Sequence, residues 1–296
     1  MPQTMARVQA PVDSNARGIA YCLLAMLVFA AQDAITKTLV KDYAIAQFVM
    51  IRYWVFAAFA LMYVQSRGGL RPALRTHHPL LQLVRSTLSI VEIGVFALGL
   101  KYLGLAESHA LFAVFPLVTL VLGGLFFSER VTRKQWLAAV VGFMGTLVIL
   151  RPGLGVFDTG ALIPLSAALM FAVYNLMTRR ISRQDSFNTN MLYMALVGAG
   201  LSTAAGVPGW KPVAAGDWPL MLTLAMTGVF AHLLLVKALE YAPATTLQPF
   251  NYSLLVFAIV IGYLVFGSTP DLYTVLGAAL VVAAGWYAFK RGGSAT

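Results

Sequence analysis

Four groups of side chains in this sequence have the type and spacing to handle charge inside an otherwise apolar chain. Arg85, Ser89, Glu92 and Phe96 follow one another at steps of four, three and four, which aligns them on one face of a helix. His109, Phe112 and Pro116 step by three and four, and Gln248, Asn251 and Leu255 do the same, with Tyr252 beside them. Gln32 with Asp33, and Tyr174 with Asn175, form adjacent polar pairs in two further apolar runs. Such groups are costly in apolar surroundings unless they face a cavity or a partner. Glu92, His109, Gln248, Asn251 and Tyr252 could together satisfy an ammonium and a carboxylate, while Asp33 or Glu92 could carry a proton. The expected small-molecule-binding set is therefore Gln32, Ser89, Glu92, Phe96, His109, Phe112, Tyr174, Asn175, Gln248, Asn251 and Tyr252, with Asp33 and Glu92 as proton-coupling candidates.

Blander roles compete for several of these residues. Arg85 could snorkel toward headgroups, and it lies about 10 Å from Glu92 along a helix axis, too far for direct pairing. Asp33 could pair with Lys37 one turn on, or with Arg52. A lone His109 could be a hydrogen-bonded core residue, and His232 falls near the inner edge of its apolar run, outside the expected site. Enzymatic chemistry finds no footing. The sequence has no Gly-rich loop followed by Lys, no His-Glu-x-x-His helix and no Gly-x-Ser-x-Gly elbow. The single cysteine, Cys22, offers neither a disulfide nor a thiol metal site. No catalytic residue, metal or cofactor is expected.

The elements that must hold these residues are membrane spans. The chain is 59% hydrophobic and 11% charged, against about 25% charged residues in an average soluble domain. Too little polar surface remains to cover a water-soluble globule. Ten spans are expected, near 18–39, 44–64, 79–100, 106–127, 135–150, 158–178, 188–206, 217–236, 243–266 and 271–289. Each crosses most of a hydrocarbon core about 30 Å thick. The net charge of +10 belongs to the turns between spans and implies no nucleic acid. Of the 21 Lys and Arg, fourteen fall on one side with the N-terminus and five on the other, with Arg52 and Arg85 inside spans. That asymmetry places both termini in the cytoplasm.

The spans also repeat. A shift of 139 lays Tyr102 on Tyr241, His109 on Gln248 and Phe127 on Phe266. A shift of 142 lays Gly18 on Gly160, Asp33 on Asn175, Thr36 on Thr178 and Lys37 on Arg179. In order and at nearly one spacing, these matches indicate a duplicated half. Five spans per half is an odd number, so the second half enters the membrane inverted. Inverted halves with a site between them at the midplane characterise secondary transporters. The fifth and tenth spans carry Ala138, Gly142 and Gly145, then Gly277, Val281 and Gly285, with few polar groups; they read as a packing seam between halves or a dimer contact.

The stretch AESHALFAVFPLVTLVLGGLFFSERVTRKQWLAAVVGFMGTLVILRPG resembles the end of an EamA repeat in the drug/metabolite transporter superfamily. The similar features are Pro116, the Ser128-Glu129-Arg130-Val131-Thr132 turn, Gly142, Gly145 and the closing Arg151-Pro152-Gly153, together with Arg52 and Arg85. The second half has Gly267-Ser268-Thr269-Pro270 where that family has a Glu-Arg turn. The resemblance implies an all-α polytopic membrane protein: a cytoplasmic tail over 1–16, a five-helix repeat over 17–152, an inverted repeat over 153–290 and a short tail over 291–296. It implies export or exchange of small metabolites, with amino acids, including aromatic ones, as the expected substrates. The expected setting is a bacterial cytoplasmic (inner) membrane, as monomer or homodimer. Alternatives are a lipid flippase or lipid-modifying enzyme, an exporter of cationic drugs, or a receptor that binds without vectorial flux.

Overall fold

The computed structural model describes residues 14–102, 105–126, 131–150, 159–267 and 269–292. The Ser128–Arg130 turn, the Arg151-Pro152-Gly153 end and residues 1–13 lie outside them. Among the described residues the regular elements are helical: α1 (Ser14–Leu39), α2 (Ile45–Ser66), α3 (Leu70–Leu74), α4 (Pro79–Tyr102), α5 (Leu105–Phe112), α6 (Phe115–Phe126), α7 (Arg133–Leu150), α8 (Leu162–Ile181), α9 (Phe187–Gly206), α10 (Trp218–Tyr241), α11 (Ala244–Asn251), α12 (Ser253–Phe266) and α13 (Leu272–Gly292), with single 3₁₀ turns between some of them.

Seven helical stretches among the described residues are long and apolar enough to cross a membrane: those carrying α1, α2, α4, α8, α9, α10 and the α11–α12 pair. The expected ten are therefore met in part. The stretch expected as one span near 106–127 is broken at Ala113–Val114 into α5 and α6. Pro116 lacks an amide donor and its ring crowds the carbonyl four residues back, so a continuous helix through this point is disfavoured. The counterpart stretch is broken at Tyr252, three residues after Pro249, which lies inside α11. The helix α7 opens on Arg133, Lys134 and Gln135, which shortens its apolar part to the remainder. Gly267, in the left-handed region at φ 67°, ends α12, its amide reaching Tyr263 O at 3.0 Å.

Polarity runs outside-in. Leu80, Leu125, Phe126, Leu264 and Val265 are each at least 63% exposed, whereas Gln47, Gln82, Arg85, Ser86 and Asn190 are wholly buried. A lipid surround and a polar interior explain both observations. This is a multi-pass membrane protein.

The main helix pairings obey an exchange rule, with α6–α11 and α7–α11 as exceptions. Helix α1 packs on α10, α11 and α12, and α8 packs on α4, α5 and α6; α2 packs on α9 and α10, and α4 on α9 and α8; α7 packs on α13. Swapping α1, α2, α4, α5, α6 and α7 with α8, α9, α10, α11, α12 and α13 maps this set onto itself. The α7–α13 seam is close: a Cβ at Gly145 would stand 2.8 Å from Gly277 O. Small residues there let two backbones meet within one chain.

Helix α9 is tied near both its ends by polar groups, to the start of α2 at one and to the start of α4 at the other. At one end Tyr43 donates to Asp217 Oδ2 at 2.6 Å, and Gln47 exchanges two bonds with the Lys211 backbone at 2.6 and 3.0 Å. At the other end Asp185, between α8 and α9, accepts from the Thr76 hydroxyl, His77 N at 3.0 Å and Gln82 Nε2 at 3.0 Å. Gln82 also donates to Asn190 Oδ1 at 2.7 Å, and Arg85 Nη2 donates to Asn190 O at 2.8 Å. Arg85 is thus wholly buried in this cluster, which overturns the snorkelling alternative: its guanidinium finds carbonyl and amide acceptors inside the bundle.

Candidate functional site

A cavity of about 90 Å³ lies where α1, α2, α4, α5, α6, α8, α10 and α12 converge. Its polar wall is Gln32, Asp33 and Thr36 from α1, Arg52 from α2, Glu92 from α4, His109 from α5 and His232 from α10. Its apolar wall is largely aromatic, with Phe29, Phe48, Phe96, Phe112, Phe115 and Phe171. The break between α5 and α6 sits on this wall, so chain ends of two half-helices, flanked by His109, Phe112 and Phe115, face the space. Discontinuous helices of this kind present backbone groups to a cavity.

Asp33 meets a partner that spacing along its own helix does not reveal. His109 Nε2 lies 3.6 Å from Asp33 Oδ2, beyond hydrogen-bond length but within electrostatic contact. The His109 ring is held edge-on by Phe96, with centroids 5.2 Å apart. Glu92 is 6% exposed and makes no hydrogen bond or ion pair among the described residues. Gln32 Oε1 and His109 Nε2 are likewise buried without a hydrogen-bond partner.

Opposite these groups stands Arg52, 5% exposed. Its Nη2 lies 2.7 Å from His232 Nδ1 and 3.3 Å from Gly228 O. His232 Nδ1 also lies 3.1 Å from Gly228 O, but one nitrogen cannot donate there while accepting from a guanidinium, which only donates. The arrangement is satisfied by a neutral imidazole with its proton on Nε2: Nδ1 accepts from Arg52, and Gly228 O accepts from the same Nη2. Phe29 packs edge-on against this ring at 5.0 Å. A Cβ at Gly228 would collide with the guanidinium, and one at Gly198 would collide with the ring of Tyr53. Two glycines of α9 and α10 thus receive consecutive residues of α2.

The expected site residues divide into three groups. Gln32, Asp33, Glu92, Phe96, His109 and Phe112 are brought together on the cavity wall. Ser89, Tyr174 and Asn175 are buried behind it; Tyr174 packs on Phe171 at 6.1 Å, and neither Asn175 amide atom has a hydrogen-bond partner among the described residues. Gln248, Asn251 and Tyr252 lie beyond the Phe112–Phe115–Leu254 layer. There Asn251 donates to Gln248 at 3.0 Å and accepts from Cys22 at 3.2 Å, which ties α11 to α1. Tyr252 packs against Gly142, where a Cβ would stand 2.6 Å from its ring. His232, placed outside the site by its sequence position, lines the cavity, because α10 continues to Tyr241 and leaves His232 well inside the bundle. Arg52, Thr36, Phe29, Phe48, Phe115 and Phe171 were also not in the expected set. For Arg52 a signal existed: a cation inside an apolar run with no acid on its own helix.

The EamA-like transporter family model matches this chain twice, over residues 16–151 and 158–288. The chain is 29% identical over 275 residues to a riboflavin transporter of Vibrio cholerae serotype O1, covering 90% of each chain. It is 26% identical over 267 residues to an S-adenosylmethionine uptake transporter of Rickettsia prowazekii, again covering 90% of each. A solved crystal structure superimposes with a TM-score of 0.77 over 93% of this chain and 96% of the other at 18% identity, which shows the shared fold. With the family model covering almost the whole length, the chain belongs to the EamA-like transporter family of the drug/metabolite transporter superfamily: it is a transporter and not an enzyme.

Proposed function

We propose that this protein is a secondary transporter of amino acids and related zwitterionic metabolites, exporting or exchanging them across a bacterial cytoplasmic membrane. It works by alternating access between two inverted five-span halves, residues 17–152 and 153–290, with both termini cytoplasmic. One observation carries the substrate class. The cavity built by both halves sets two carboxylates, Asp33 and Glu92, and one guanidinium, Arg52, among aromatic walls. An ammonium and a carboxylate on one small molecule match that distribution, and a ring or apolar side chain suits the phenylalanines. The exchange symmetry of the helix pairings and the twofold match of the family model support the inverted halves. The excess of Lys and Arg on the N-terminal side supports the orientation. S-adenosylmethionine, named for one relative, itself carries an amino-acid group, which agrees with a zwitterion site. Asp33 and Glu92 are the residues through which a proton gradient would act.

The test is counterflow of labelled amino acids in reconstituted liposomes, with and without a pH gradient. Saturable exchange of several amino acids is the expected result, and a gradient-driven gain would assign proton coupling. Folded protein that moves no member of the panel would reject the substrate class.

A lipid substrate is the second reading, and one feature favours it. An apolar cleft of about 600 Å³ runs between α2, α4 and α9, with Val49 lining both it and the central cavity. Scrambling of a fluorescent phospholipid in the same liposomes, absent from protein-free controls, would move the assignment to that reading.

A further inference from the structure

We infer that Arg52 is the residue that binds the carboxylate of the transported molecule, held in place by His232 as an uncharged positioning residue. This rests on the zwitterion reading above, but its evidence is separate. Arg52 enters a slot that the second half keeps bare for it: Gly228 has no side chain where a Cβ would overlap the guanidinium. Both groups that bond its Nη2, the Gly228 carbonyl and the His232 Nδ1 lone pair, are neutral. Neither cancels the charge. Nε and Nη1 make no hydrogen bond among the described residues, and the residue lines the cavity while 95% buried.

A buried cation fixed by neutral acceptors, with donors left over, is a poor structural counter-ion. If Arg52 served only to balance Asp33 or Glu92, contact with one of them would be expected, because an unpaired buried charge is strongly disfavoured. Those carboxylates line the same cavity, yet Arg52 forms an ion pair with neither. Their charge reaches Arg52 only through space, and the remaining donors of the guanidinium meet no acceptor among the described residues. Nη1, on the Cδ side of the fork, keeps its donors free among the described residues, and a carboxylate oxygen there would complete a charge-assisted bond. The neutral His232 matters because it sets direction: it holds Nη2 toward α10 and leaves Nη1 without a protein acceptor among the described residues.

The test uses purified full-length protein and four probes: formate and acetate, with formamide and acetamide as their neutral counterparts. Thermal stabilisation is read for the wild type, Arg52→Gln, His232→Leu and His232→Gln. The expected result is saturable stabilisation of the wild type by the two carboxylates only, lost in R52Q. H232L should weaken the carboxylate effect about tenfold, and H232Q, whose amide oxygen can accept from Arg52, should restore most of it. If R52Q does not fold, Gly228→Ala, which pushes the guanidinium from its slot, should abolish the effect in its place. Equal stabilisation by carboxylates and amides, or a carboxylate effect that survives R52Q or G228A, would overturn the assignment. Amino-acid counterflow on the same preparation separates the two readings: a carboxylate effect without counterflow retains Arg52 as an anion site and rejects the substrate class. For a transported amino acid, H232L should raise KM with a smaller change in the maximal rate.

Discussion

Glu92 and Asp33 reach the cavity from α4 and α1 with no hydrogen bond among the described residues to fix either carboxylate. Groups that no hydrogen bond fixes are suited to change their protonation during a cycle. With Glu92→Gln or Asp33→Asn, the ratio of uptake measured with and without a pH gradient should fall to about one for whichever residue carries the proton. An unchanged ratio in both variants would make transport gradient-independent or place the coupling elsewhere. Asp185 differs, lying outside the spans at the end of the bundle. Burial alone would raise its carboxyl, but bonds from Thr76, the His77 amide, Gln82 and the His77 ring together hold it below the ordinary carboxylate range. A carboxyl lowered in the folded state stabilises the fold above its ordinary value, and that stabilisation disappears as pH falls through the lowered value. Asp185→Asn should therefore lower the unfolding midpoint at neutral pH, and the gap from wild type should close below about pH 4. Thermal melts at several pH values check this. At this scale the sequence was a partial guide. Helical spacing found Glu92, Phe96, His109 and Phe112, because one helix face is enough to align them. It could not find Arg52 and His232, whose meaning lies in a contact between α2 and α10, 180 residues apart in sequence. Nor could spacing show that Gln248 and Asn251 satisfy each other and Cys22, and so sit apart from the cavity.

The elements were more legible than the site, since twenty apolar residues between polar turns announce a span wherever they pack. Nine of the ten expected stretches begin and end within four residues of a described helix or helix pair; the other, 217–236, ends five residues short of α10. The interruptions were less visible. Pro116 and Pro249 signal freed carbonyls, but whether a proline kinks a helix or splits it depends on what its neighbours supply. Here His109, Phe112 and Phe115 border the cavity, so the split falls where backbone groups are needed. The α7–α13 seam gives the sharpest prediction for an element. With Gly145 and Gly277 backbones in mutual contact, Gly277→Ala must force the helices apart or distort them. It should cost about 1–3 kcal/mol, seen as a lowered unfolding midpoint, whereas Gly216→Ala, with open space around it, should change little.

For the whole molecule, the exchange rule among helix pairings carries a topology. If the halves are inverted, the loops at 40–44 and 207–217 share one membrane face, and those at 67–78 and 182–186 share the other. Cys22 is the sole cysteine and is buried, so single cysteines can be placed on a Cys22→Ala background. Asp42→Cys and Gly216→Cys should react with an impermeant maleimide added outside whole cells. Arg67→Cys and Arg183→Cys should react only once the membrane is opened. A fully reversed partition would overturn the cytoplasmic placement of the termini, and a mixed one would break the two-half arrangement. The ties near both ends of α9 bear on how such a molecule could move. Tyr43, Gln47 and Asp217 bind one end; Asp185, Gln82 and Asn190 bind the other. A rod pinned at two points serves as an axle. Opening either mouth must therefore unfasten one set of pins while the opposite set bears the load, and a strengthened pin should act as a brake on one direction of swing alone.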